Sequence, residues 1–181
     1  MEIINSPLKG CFLLKENVIE DNRGHFLETY NYNELKGKTN FSYFIQENES
    51  FSRKNVIRGM HYQQEPYSQN KIIRVLSGTI WDMVIDLRPH STSYLSSYGV
   101  ELSQENGKQL FVPSGFAHGF AVTSDFARVI YKMDKPRMPN HERGFSPFDP
   151  HFSLKWPFLK KDSILSEKDS NWPLFENNVK E

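Results

Sequence analysis

The amino-acid sequence predicts an all-β chain, a sandwich or a barrel. Short β-type runs recur at near-regular spacing, with Gly, Pro and Asn at the joints between them. The composition is rich in aromatics, with 14 Phe, 8 Tyr and 3 Trp. Such residues suit a β-rich core and also stack on sugars and bases. Helical patterns are confined to two short stretches.

Taken in order, CFLLKENVI (11–19) runs into the turn EDNRG, and HFLETY (25–30) follows that turn. FSYFIQENESF (41–51) and NVIRGMHYQ (55–63) form the next pair. Then come KIIRVLSGTIWDMVIDL (71–87), SSYGVELS (96–103), KQLFVPSGFAHGFAV (108–122) and ARVIYKM (127–133). Within IWDMVIDL a partial alternation sets Trp81, Met83 and Ile85 on one face and Asp82, Val84 and Asp86 on the other. The two aspartates therefore share a face that is polar or lines a cavity. NYNELKGK (31–38) holds one or two helical turns, and LSEKDSNW (165–172) offers Ser166 as an N-cap before acidic residues. The stretch from 134 to 158 carries five prolines and reads as a long ordered loop or flap, a kind of segment that often carries function. No repeat, low-complexity tract or linker divides the chain, so residues 1–181 are expected to form a single domain.

Composition narrows the partners. Lys plus Arg is 22 and Asp plus Glu is 22, a formal net charge of zero. Non-specific nucleic-acid binding needs a basic face, so no nucleic-acid partner is expected, although a local basic pocket for one phosphate ligand remains open. The single cysteine, Cys11, supports neither a disulfide framework nor a cysteine-based zinc site. A reducing cytoplasm is the natural setting. Met1–Gly10 lacks the layout of a signal peptide, and no apolar run approaches the ~20 residues that span a bilayer, so no membrane association is expected.

Four residues stand out as candidates for chemistry. His61 lies in NVIRGMHYQQEP, an apolar run with Gly59 behind it, where a strand could turn alternate residues into a cavity. A buried, hydrogen-bonded core histidine fits the same stretch. Lys71 opens a strong strand, a place where lysines are usually solvated. His118 sits in PSGFAHGF, beside aromatics and between glycines that permit a tight turn or close ligand approach. Tyr131 shares a strand face with Val129 and Met133, where a tethered core hydroxyl is the commoner role.

The small double-sheet barrels called cupins usually hold metal through G-x5-H-x-H-x3,4-E-x6-G and a second segment, P-x-G-x-x-H. PSGFAH (113–118) fits the second segment. The first fails, because Gln63 stands where the next histidine belongs. Two imidazoles without the third make a poor transition-metal site, so no metal is expected and the histidines are left for acid–base work.

The ordered run DNRGHFLETY, QENES, NVIRGMHYQ, NKIIRVLSGTIWDMVIDLRPHSTSY, ENGKQLFVPSGFAHGFAV, VIYK and LSEKD resembles the dTDP-4-dehydrorhamnose 3,5-epimerase family over roughly residues 4 to 172. The resemblance implies a cupin-like jelly-roll barrel, a double-stranded β-helix, with short helical segments. It implies inversion of C3 and C5 in a nucleotide-linked 4-keto-6-deoxyhexose. The C4 ketone acidifies both flanking C–H bonds by enolate delocalisation, so no metal or redox cofactor is required. A base on one face, an acid on the other and a cation at the enolate oxygen suffice. By resemblance His61 is the base, Asp169 its carboxylate partner, Tyr131 the acid and Lys71 the cation. His118 contacts substrate in the same cavity. Arg23, Glu28, Gln46, Asn48, Arg58, Glu142 and Lys168 bind substrate, with Phe26 placed to stack on the base. The forked donors of Arg58 suit a diphosphate. A cytoplasmic homodimer is implied, its N-terminal strand joining the partner's sheet.

The chain departs from the family at three places. Arg137 in RMP replaces a usual tyrosine that lies against the sugar, QEN replaces QDN, and Glu49 stands where histidine is usual. These bear on the base, the sugar and the number of centres inverted. The rival readings are a C3-only or C5-only epimerase or one using another nucleotide, a metal-dependent cupin oxygenase or isomerase, and a non-catalytic sugar-nucleotide binder. Gln63 speaks against the metal enzyme and the retained acid–base set against the binder.

Overall fold

In the computed structural model, which describes residues 1–37 and 43–175, the β-type runs become strands of two facing sheets and a separate hairpin. In chain order they are β1 (Glu2–Asn5), β2 (Phe12–Lys15), β3 (Val18–Asp21), β4 (Gly24–Leu27), β5 (Gln46–Arg53), β6 (Ile57–Gln63) and β7 (Lys71–Ser77). There follow β8 (Thr79–Asp86), β9 (Ser97–Ser103), β10 (Lys108–Val112), β11 (Phe116–Val122), β12 (Phe126–Met133) and β13 (Glu142–Gly144). One sheet has the order β1-β2-β10-β7-β12-β5, the other β13-β6-β11-β8-β9, and β3 pairs with β4 alone. Neighbours such as β12 and β5, or β10 and β2, are far apart in sequence, the Greek-key winding of a jelly roll. The expected all-β jelly-roll class is borne out.

Three long runs are cut where the chain changes sheet, one of them 108–122, which divides between Val112 and Phe116 into β10 and β11 of opposite sheets. Residues 71–87 break at Gly78, whose φ of +79° favours glycine, and the halves become β7 and β8 of opposite sheets. Residues 11–19 break after Lys15. There Glu16 turns its buried carboxylate to Arg74 Nε and Gln109 Nε2, each at 2.7 Å, and the chain leaves the sheet to form the β3–β4 hairpin. The N-terminal strand, expected to join a partner's sheet, is paired along its length with β2 of its own chain, Ile3 against Leu14 and Ile4 against Leu13.

The main core lies between the sheets and includes Leu13, Ile73, Val75, Ile80, Val84, Leu110, Phe120 and Val129. Both outer faces are also covered. Phe12 and Phe111 stack at 4.7 Å outside the six-stranded sheet, under the short helix α1 (Tyr32–Leu35). Met60, Met83 and Ile85 meet Phe145, Phe152 and Trp156 outside the other. The predicted split of β8 holds: Met83 and Ile85 face outward, whereas Val84 lies between the sheets. The proline-rich stretch divides in two. Residues 134–144 border the open end of the barrel, whereas 145–156 serve as apolar cover for the five-stranded sheet. Helix α1 ends at Leu35, and residues 38 and 41–42 of the predicted runs lie outside the described residues.

Candidate active site

A cavity of about 810 Å³ opens between the sheets at one end of the barrel. Its construction begins with a bulge. On an unbroken strand Arg58 and His61, an odd number of positions apart, would face opposite ways. The β6–β11 register instead shifts between the pairs His118–His61 and Phe120–Arg58, so β6 carries one extra residue. Both Arg58 and His61 then line the cavity, while Met60 points into the outer core. Gly59 makes this possible. Its φ is +122°, and a Cβ there would stand 2.5 Å from the Gly119 Cα.

His61 Nε2 lies 2.5 Å from Asp169 Oδ1. Asp169 sits on the short helix α2 (Glu167–Ser170), whose N-cap is Ser166 as predicted, the serine oxygen accepting the Asp169 N–H at 3.0 Å. Burial works against the Asp169 carboxylate, but the hydrogen bond and charge of His61, with bonds from the Gly59 N–H and Ser166, hold it below the usual carboxylate range. An ionised carboxylate only accepts, so Nε2 carries a hydrogen, and Nδ1 is the nitrogen left to exchange a proton.

Directly across the strand pair stands His118, with Nε2 at 2.9 and 3.1 Å from the two oxygens of Asp82. Asp82 is wholly buried. Burial raises its pKa against the opposing effects of His118 and Lys71. Lys71, the first residue of β7, is brought down to about 8 by burial, with the charges of Glu142 and Asp82 pulling the other way. Tyr131 on β12 shares a 2.7 Å hydrogen bond with Ser50 Oγ on β5. Burial lifts its phenol to about 12, with Ser50 and Arg58 opposing, so it remains protonated at neutral pH. His61 and Tyr131 belong to opposite sheets and line the same cavity.

Around the rim Glu142 binds two cations, Arg137 at 3.0 Å and Lys168 at 2.8 Å. Burial opposes ionisation of Glu142, but Lys168, His61 and Arg137 keep its pKa below the usual range. Arg58 gives Nε to Ser52 Oγ at 2.9 Å and Nη2 to the Phe51 carbonyl at 3.3 Å. Among the described residues no three His, Cys, Asp or Glu side chains group as metal ligands. Gln63, at the usual ligand position, spends its amide on the backbone of residues 67, 136 and 138.

The sequence profile of the dTDP-4-dehydrorhamnose 3,5-epimerase family matches residues 5–177. A dTDP-4-dehydrorhamnose 3,5-epimerase of Methanothermobacter thermautotrophicus is 41% identical, over 97% of this chain and 96% of that protein. The chain belongs to the dTDP-4-dehydrorhamnose 3,5-epimerase family. The crystal structure of the enzyme of that name from Elizabethkingia anophelis superposes with a TM-score of 0.93 at 40% identity, covering 97% of this chain and 96% of that one. A Legionella pneumophila 3,5-epimerase in complex with dTDP-4-keto-L-rhamnose gives a TM-score of 0.90 at 34% identity, over 96% and 92% of the two chains.

Of the residues that the family resemblance singles out, His61, Lys71, Tyr131, Asp169, Asn48, Arg58, His118, Arg137, Glu142 and Lys168 all line the cavity. Gln46 stands just behind, donating to Asn48 Oδ1 at 3.0 Å. Three others are not brought there within one epimerase chain. Arg23, Phe26 and Glu28 lie on or beside the β3–β4 hairpin. Arg23 pairs with Asp21 at 2.5 Å, Glu28 accepts from Asn31 at 3.1 Å, and Phe26 is 69% exposed. The family resemblance singles out neither Asp82 nor Ser50. For Asp82 the signal was its place on the inner face of β8. For Ser50 it was only a pairing across strands, invisible before the fold is known.

Proposed function

We propose that the chain inverts C3 and C5 of dTDP-4-keto-6-deoxyglucose, giving dTDP-4-keto-rhamnose. The observation that carries this is the placing of a carboxylate-backed imidazole and a protonated phenol on opposite sheets, facing one cavity. A sugar ring held between them meets a base on one face and an acid on the other. His61 Nδ1 takes the proton alpha to the ketone, Asp169 stabilises the resulting imidazolium, and Tyr131 returns a proton from the far face. The electron pair moves onto the C4 oxygen, where the Lys71 ammonium meets it, with the His118–Asp82 pair beside it. Once His61 has released its proton to solvent and Tyr131 has taken one up, the second centre repeats the cycle. Arg58, Arg137, Lys168, Asn48 and Glu142 hold the nucleotide sugar.

The working form in this reading is a cytoplasmic homodimer. The hairpin presents Ile19 and Phe26, 64% and 69% exposed, beside Arg23 and Glu28. An apolar, cation-bearing arm of this kind is suited to completing the nucleotide end of a partner's cavity. Mixing His61→Ala with Arg23→Ala/Phe26→Ala chains would then restore activity that neither has alone. No restoration, in a mixture shown to exchange subunits, rejects the shared site. The reaction itself is tested by incubation with dTDP-4-keto-6-deoxyglucose in D2O. Deuterium at both C3 and C5 is expected. Uptake at one centre would identify a single-centre epimerase, and none would point to another nucleotide or sugar.

A further inference from the structure

Gln63 is the residue of the histidine strand that this chemistry leaves unused. It stands two places after His61 on β6 and is 7% exposed. A buried primary amide brings donors and an acceptor that are costly to leave idle. Here Nε2 donates to the carbonyls of Tyr67 at 2.7 Å and Pro136 at 3.2 Å, and Oε1 accepts the Met138 N–H at 2.6 Å. Between Pro136 and Met138 lies Arg137, whose own N–H goes to Gln46 Oε1 on β5 at 2.9 Å. Residues 136, 137 and 138 are thus tied in succession to side-chain amides from the two facing sheets.

Arg137 is the cavity-lining residue of that piece, and its half-exposed guanidinium meets Glu142. A long, mobile side chain has many rotamers, so the place of its head group depends on how firmly its backbone is held. The geometry points to Gln63 as a positioning residue: together with Gln46 it fixes Arg137 at the cavity wall and, through Arg137, sets the affinity for substrate. This rests on reading the cavity as the sugar-nucleotide site. The guanidinium is engaged with Glu142, not with His61 or Tyr131, so the effect falls on KM and not on kcat.

Gln63→Met keeps the side-chain length, removes all three hydrogen bonds and adds no charge. It is expected to raise KM for dTDP-4-keto-6-deoxyglucose about tenfold, the worth of one charge-assisted bond, with kcat changed less than about twofold. Arg137→Met should give the same rise, and the double variant no more than either single one. Effects on KM that multiply, or a fall in kcat at constant KM, would overturn the proposal. A second readout needs no turnover. Amide hydrogen exchange at Met138 should quicken at least about tenfold in Gln63→Met and stay unchanged in Arg137→Met. Unaltered exchange in Gln63→Met overturns the clamp as well. Should Gln63→Met fail to fold, Gln46→Leu releases the Arg137 N–H instead, and the same non-additivity with Arg137→Met is expected. If the wild-type protein does not turn over this substrate, the functional reading fails, while the exchange experiment still decides whether Gln63 holds Arg137.

Discussion

Asp82 and Asp86 lie four residues apart on one face of one strand, about 13 Å, and both are wholly buried, yet they live in opposite ends of the barrel. At the closed end Asp86 is saturated with donors. Arg88 gives its backbone N–H, Nε and Nη2 at 3.0, 2.8 and 2.7 Å, and Ser91 and Ser93 add hydroxyls at 2.5 and 2.7 Å. Burial opposes ionisation there, but these donors win, and the carboxyl is held below its usual range. At the open end Asp82 has His118, and burial wins. A buried charge with every lone pair met is architecture. One left with a single imidazole beside a cavity is available for protons.

The contrast predicts that substitutions at the open end cost activity with little stability, and those at the closed end the reverse. His61→Ala should show the largest effect, a loss of about a thousandfold or more in exchange at both C3 and C5, at nearly unchanged Tm. A comparable fall in Tm would mean that His61 is core and not base. Tyr131→Phe comes next. Loss of the acid should slow completed inversion about a hundredfold while deuterium exchange on the His61 side falls much less. Equal losses would remove Tyr131 from the acid role.

Lys71 sharpens the comparison through pH. Its ammonium is useful only while charged, and burial has brought it down to about 8, with Glu142 and Asp82 opposing. Activity should therefore fall about tenfold per pH unit above that value. In Lys71→Arg the cation persists at high pH, and this limb should vanish even if the peak rate is lower. A limb that stays in Lys71→Arg belongs to another group.

Much of this was legible in the sequence. Period-two patterning and turn residues announced the β architecture, and the alternation in IWDMVIDL placed both aspartates on one face, polar or cavity-lining, because a pleat has only two sides. Family motifs singled out many of the residues that line the cavity, and also Arg23, Phe26 and Glu28, which do not line it within one chain. What the sequence hid was three-dimensional pairing. Nothing in PSGFAH says that its histidine faces Asp82 and not a metal. The role of Gln63 depends on the Pro136 carbonyl and the Met138 N–H, 73 and 75 residues away. The position of Arg23, Phe26 and Glu28 on an outlying hairpin follows from Glu16 turning inward, a buried ion pair that no local pattern marks.

The smallest expected effects are the most diagnostic, because they come from the paired carboxylates themselves. Asp82→Asn keeps the shape and a hydrogen-bonding partner for His118 but removes the charge; it should lower kcat about tenfold and leave Tm within a few degrees. Asp86→Asn should leave kcat near wild type and destabilise by about 2–3 kcal/mol at neutral pH, since Arg88 and two serines lose an ionised acceptor. The two should also differ in acid. The folded-state pKa of Asp86 is depressed, so its stabilisation is present above the unfolded-state pKa of about 4 and is lost as pH falls through the folded value. The gap in stability between wild type and Asp86→Asn should therefore close below about pH 4. Asp82 has a raised folded-state pKa: burial favours its protonated form, and the strain of ionising it appears as pH rises. Asp82→Asn should thus gain stability relative to wild type on going from pH 4 upward. If both variants show the same pH slope, the two ends of the barrel do not treat their carboxylates differently, and the division between architecture and chemistry along β8 is lost.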